Sequence, residues 1–149
     1  MLKIDKQIEK VEVKGRKVVV ILPTKDNLKQ LDNCVMSFLN STNYPVRIII
    51  MNGNSNPEHL ISPLIMLPKA FPFIEVHKVD VKNNIPLINR GIELTKDEDI
   101  LLIHDDMKFF QLYKRDWLYE LANAKLDKIG MITYKGNIKT AGKEYVEGL

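Results

Sequence analysis

Short β-branched apolar runs alternate along this chain with segments whose apolar residues recur at helical spacing, and that alternation is the strongest constraint on its fold. Residues 17–22 (KVVVIL) and 46–51 (VRIIIM) are largely apolar on both faces, as strands inside a parallel sheet are. Between them Leu28, Leu31, Val35, Phe38 and Leu39 lie on one helical face, which makes the stretch a βαβ unit. Residues 73–79 and 99–103 read as further strands, and 128–134 as the last core strand. Residues 86–95 read as a helix with Pro86 in its first turn, where a missing N–H costs nothing. Residues 116–126 read as another, N-capped by Asp116, with Leu118, Leu121, Ala122 and Leu126 inward. Residues 52–57 form a polar turn, and Pro63 and Pro68 break up the segment that follows, so no element is assigned there. The expected fold class is a three-layer α/β domain with a mainly parallel sheet and right-handed crossovers. Its ligands belong at the strand C-termini.

Composition agrees with one globular domain: 149 residues, 45% hydrophobic and 28% charged. A chain of this size buries roughly 68–70% of its unfolded surface, enough for a core without disulfides or structural zinc. The single cysteine, Cys34, excludes a disulfide framework and points to a reducing, cytoplasmic setting. A net charge of +3 is too mild to argue for nucleic acid. The longest purely apolar run, residues 18–22, is far below the ~20 residues that span a bilayer. Residues 1–17 offer no signal-peptide core, so export is not expected. Membrane contact is at most peripheral, through Lys3, Lys6, Lys10, Lys14, Arg16 and Lys17, which read first as a solvated N-terminal strand or short helix.

The chemistry should sit on the turns after the strands. Pro23-Thr24-Lys25-Asp26-Asn27 follows the first strand and contains no glycine, which disfavours both a nicotinamide-type Rossmann site and a P-loop. The fourth expected strand runs into His104-Asp105-Asp106. Two carboxylates leaving a buried strand suit a hard divalent ion, Mg²⁺ or Mn²⁺, that takes its remaining ligands from phosphate oxygens and water. The same pair can also simply cap a turn. Residues 108–117 mix bases with aromatics, a pattern that packs its rings inward or offers Trp117 to an acceptor sugar. His59, His77 and His104 have no zinc spacing, and no Gly-x-Ser-x-Gly elbow is present.

At these residues the chain resembles the family 2 glycosyltransferases, inverting enzymes of the GT-A fold. The resemblance opens on residues 19–42, VVILPTKDNLKQLDNCVMSFLNST, and the step Ser41-Thr42-Asn43-Tyr44-Pro45. It continues through Ile48-Ile49-Ile50-Met51-Asn52-Gly53-Asn54-Ser55, Leu87-Ile88-Asn89-Arg90-Gly91-Ile92-Glu93-Leu94 and Ile103-His104-Asp105-Asp106-Met107. Asp116-Trp117-Leu118 and Ile138-Lys139-Thr140-Ala141-Gly142 extend it. It implies that Pro23 and Thr24 line a nucleotide pocket and that Asn52 approaches the base or ribose. It also implies that Asp105 and Asp106 occupy the metal-binding DxD region, Asp106 as direct ligand and Asp105 near the ribose or diphosphate. Asn52 stands where the family usually has aspartate, and His104 where the first aspartate of the motif often lies.

The resemblance divides the single GT-A-like domain into an N-terminal extension or edge strand (1–16), a nucleotide-binding half (17–107) and a short remnant of the acceptor half (108–149). Only 43 residues follow Asp106, and Glu144 and Glu147 are the only acidic residues after Asp127, so the catalytic base is unassigned. The expected function is a metal-dependent transferase that uses a nucleoside-diphosphate sugar and a glycan, lipid or protein acceptor. The alternative is a non-catalytic module that binds the nucleotide sugar or serves as an interaction unit. A phospho-accepting receiver domain fits less well, because its acidic pair follows the first strand, where this chain has Pro23-Thr24.

Overall fold

The computed structural model describes residues 8–13, 17–53, 62–81, 83–96, 98–111 and 114–123. The expected strand over 128–134, Leu126, residues 138–142, Glu144 and Glu147 lie outside the described residues. Strands β1 (Val18–Thr24), β2 (Val46–Asn52), β3 (Ile74–Lys78) and β4 (Asp99–Leu102) form one all-parallel sheet in the order β3-β2-β1-β4. Four helices accompany it: α1 (Leu28–Ser41), α2 (Pro63–Ala70), α3 (Asn84–Glu93) and α4 (Trp117–Ala122).

Side chains alternate across a strand, so each of the two central strands serves two cores. Val18, Val20 and Leu22 of β1 join Ile48 and Ile50 of β2 on the face covered by α1, α2 and α4. Val19, Ile21, Ile49 and Met51 face the other way and pack on Leu87 of α3. The result is the expected three-layer arrangement. The connections through α1 and α2 step in one direction along the sheet, and the one through α3 steps back to β4. Keeping one handedness while reversing direction requires the opposite face, which is where α3 lies.

Helix α2 occupies the segment to which the two prolines assign no element. Pro63 takes its first position, where no N–H is needed, and Pro68 forfeits one bond inside it. Leu64 and Leu67 are buried against α1 and β3, and their burial outweighs that loss. At the N-terminal end of the sheet Arg47 bonds Glu75 (3.1 Å) and Glu98 (2.9 Å), and its guanidinium holds the Glu75 carboxyl below the usual range.

Gly91 sets how closely α3 lies on the sheet. A Cβ there would come within 2.8 Å of Ile21 Cγ2 and 3.2 Å of Met51 Cγ, so no larger residue fits without moving the helix. Gly91→Ala should therefore lower stability by about 1–3 kcal/mol, the usual effect of overpacking. Urea unfolding monitors this as a lower midpoint with an unchanged slope.

Candidate functional site

The strand order reverses beside β1, so the crevice between the C-terminal ends of β1 and β4 is the place where an open α/β sheet binds ligand. Local chemistry opens it further. Ile103 N donates to Ile21 O at 3.1 Å as the last bond of the β1–β4 ladder. Two residues on, the next bond would need an N–H from Pro23, which has none. The chain after β4 is thereby released from β1 while β1 stays paired with β2, through Pro23 opposite Met51 and Thr24 opposite Asn52.

The released chain folds at once into a turn. Met107 N donates to His104 O at 3.1 Å, which puts Asp105 and Asp106 at the two corner positions. Thr24 Oγ1 donates to Asp105 Oδ2 at 2.8 Å, and Asn27 Nδ2 donates to Asp105 Oδ1 at 3.1 Å. Both oxygens of Asp105 are thus oriented by the loop after β1. Asp106 is exposed and has no described hydrogen-bond partner. Asn52 is buried at the end of β2, where its carbonyl accepts from Val79 N at 2.9 Å. Gly53 N closes the neighbouring strand ends by donating to Thr24 O at 2.8 Å. Pro23 and Thr24 are buried at the base of the crevice, where Thr24 and Asp105 meet directly.

Two further contributors are not evident from the sequence. Asn27 stands at the N-cap of α1 but makes no side-chain cap; its amide goes to Asp105 and to Gln30 instead. Cys34, two helical turns further along α1, donates its S–H to His104 O at 3.2 Å. Burial first, and then the charges of Asp105 and Asp106, push its thiol from 9.0 up to about 12. It is a protonated donor and not a nucleophile.

Beyond the turn the chain runs down α1. Phe109 and Trp117 stack (centroids 5.7 Å apart, 13° between planes), and Phe38 meets each ring edge-on. Trp117 Nε1 donates to Ser41 Oγ at 3.0 Å, at the end of α1 about 20 Å from Asn27 by helical rise. Asp116, the expected N-cap of α4, accepts from Leu118 N and Tyr119 N as well as from Thr42 Oγ1 and Asn43 N. An open cleft of about 450 Å³ lined by Lys114, Arg115, Trp117 and Glu120 belongs to this far end and not to the acid pair.

Among the described residues no group of three or more His, Cys, Asp or Glu side chains converges on a point. A cation at this rim would therefore rest on one or two carboxylates, the sparse all-oxygen set with which Mg²⁺ and Mn²⁺ are held when phosphate and water complete the shell. Exposed Asp106 has the free lone pairs for that role, and oriented Asp105 stands beside it. Among the described residues no helix is long and apolar enough to cross a membrane.

Strand order, layers and the position of the crevice define a Rossmann-like α/β fold. Among solved structures it is similar to the mannosyltransferase PcManGT from Pyrobaculum calidifontis, determined in complex with GDP-Man and Mn²⁺. The two share 12% sequence identity with a TM-score of 0.53, over 66% of this chain and 30% of that one. This chain thus matches less than a third of that enzyme's length. No protein-family profile and no curated protein sequence matches this chain.

Cys34 is the only cysteine, which makes its state directly readable. Folded protein at pH 8 should resist alkylation by iodoacetamide, whereas protein in urea should gain one adduct by mass spectrometry. Because folding raises this thiol's pKa, its contribution to stability is complete below the unfolded value and is lost as pH rises from 9.0 towards about 12. Over that window stability should fall by up to about 1.4 kcal/mol per pH unit from this group.

Proposed function

We infer that this chain is the nucleotide-sugar-binding part of a metal-dependent glycosyltransferase of the inverting, family 2 kind. The observation that carries the reading is the hydrogen bond from Thr24 to Asp105 across the β1–β4 crevice, with Asp106 left exposed beside it. The shared fold of an enzyme solved with GDP-Man and Mn²⁺ supports it.

In this reading Pro23 and Thr24 form the wall of the nucleotide pocket, and Asn52 meets the base or ribose. An amide both donates and accepts, so Asn52 suits a different base edge from the aspartate usual in the family. Asp105 is held by Thr24 and Asn27 so that it faces ribose or diphosphate, and Asp106 is the direct ligand of a divalent cation. A divalent cation held there, Mn²⁺ or Mg²⁺, would supply positive charge against that of a diphosphate leaving group. Inversion also needs a carboxylate on the opposite face of the sugar to deprotonate the acceptor hydroxyl, and that base remains to be assigned. The acceptor is a glycan, a lipid or a protein. The buried, unpaired Cys34 goes with a cytoplasmic setting.

Calorimetry tests the site. GDP or UDP with Mn²⁺ should bind the wild-type chain at least about tenfold more tightly than Asp106→Ala, since a charge-assisted contact contributes roughly 1.5–3 kcal/mol. Equal binding to both proteins would remove Asp106 from the site.

A second reading uses the same crevice and exposed Asp106: a module that binds the nucleotide sugar without transferring it. Metal-dependent nucleotide binding with no release of nucleoside diphosphate across glycan, lipid and peptide acceptors favours this reading, and any turnover rules it out.

A further inference from the structure

Three small polar residues line one side of α1, and each bonds the chain that follows β4. Cys34 Sγ donates to His104 O at 3.2 Å. Ser37 Oγ accepts from Phe109 N at 3.1 Å while donating to Cys34 O at 3.0 Å. Ser41 Oγ accepts from Trp117 Nε1 at 3.0 Å while donating to Phe38 O at 2.7 Å. Each serine hydroxyl thus returns its proton to its own helix and presents a lone pair to the neighbouring segment. The spacing of three and then four residues keeps all three on one face of the helix.

Their distances from the acid turn differ in a useful way. His104 O is the acceptor of the turn's own closing bond from Met107 N, so Cys34 binds the atom on which the turn hinges. Phe109 follows Asp106 by three residues, whereas Trp117 follows it by eleven. Strand β4 does little to hold the turn itself. It is four residues long, pairs with β1 alone among the described strands, and leaves Ile100 and Leu102 each 43% exposed.

We propose that Cys34 and Ser37 are positioning residues that fix the Asp105-Asp106 turn against α1, setting where its carboxylates stand for a cation and a nucleoside diphosphate. The role as stated rests on the functional reading above. The physical part of it, that these two side chains order the turn, does not. Ser41 makes a bond of the same kind at the far end and serves as the control.

The test compares Cys34→Ala, Cys34→Ser, Ser37→Ala and Ser41→Ala with wild type in three measurements: amide hydrogen exchange without ligand, urea midpoint, and calorimetric affinity for Mn²⁺ with GDP or UDP. Exchange at Met107 should speed up several-fold in Cys34→Ala and return towards wild type in Cys34→Ser, which restores an O–H donor. Exchange at Phe109 should speed up in Ser37→Ala, and neither amide should respond to Ser41→Ala. Nucleotide affinity should fall about 3–10-fold in Cys34→Ala and Ser37→Ala, the effect of one lost hydrogen bond, and stay unchanged in Ser41→Ala. If exchange and affinity track the urea midpoint equally in all four variants, the residues act only on global stability and the positioning role is refuted. If wild type binds neither nucleotide, the functional reading falls, and the exchange data alone decide whether Cys34 and Ser37 order the turn.

Discussion

Strand β1 has neighbours on both edges and helices over both faces, and all seven of its residues are buried. A strand so enclosed cannot carry polar chemistry along its length, because an unpaired polar group there would cost several kcal/mol. Polar function is confined to its end, and there the pattern changes from Val-Val-Val-Ile-Leu to Pro-Thr. Pro23 withholds the donor that would continue the ladder to β4, and Thr24 spends its hydroxyl on Asp105. The crevice and its first occupant both follow from two residues at the tip of the most buried strand.

Much of this is legible in the sequence, and what is not has physical reasons. β1 and β2 stand out because strands buried on both faces cannot alternate, and α1 because its apolar residues keep helical spacing. β1 nevertheless runs two residues beyond its apolar stretch, since Pro23 and Thr24 are held in register by Met51 and Asn52, a tertiary effect. Helix α2 is hidden by its prolines: local propensity counts the bond that Pro68 forfeits, but not the burial of Leu64 and Leu67. Asp116 is legible as a cap because capping is local. Its two further donors, from Thr42 and Asn43, come from more than 70 positions away and leave no local mark.

The candidate site divides in the same way. Asp105 and Asp106 draw attention as charges at the end of an apolar run. Their difference in environment does not, because it arises where the β1–α1 loop folds onto only one of them. Asn27 is a residue type that caps helices, and nothing in its neighbours reveals that its amide is directed at a carboxylate instead. Trp117 reads from sequence either as core or as an acceptor contact. The structure engages its indole with Phe109, Phe38 and Ser41, at the other end of α1 from the acid pair.

That separation bears on how so short a strand as β4 can present a well-defined site. Among the described strands β4 pairs with β1 alone, and a four-residue strand so placed contributes few ladder bonds. Precision in the turn that follows must then come from outside the sheet. Helix α1 can supply it because its own position is secured independently, by Leu31, Val35, Phe38 and Leu39 buried in the main core. A rigid helix bonded at intervals to a weakly held segment transfers its order to that segment, most strongly where the bond falls on the atom about which the segment turns. Here that atom is His104 O, and the side chain reaching it is a neutral, buried thiol. A negatively charged group at this place would repel the two carboxylates, and a bulkier one would force the helix away from them.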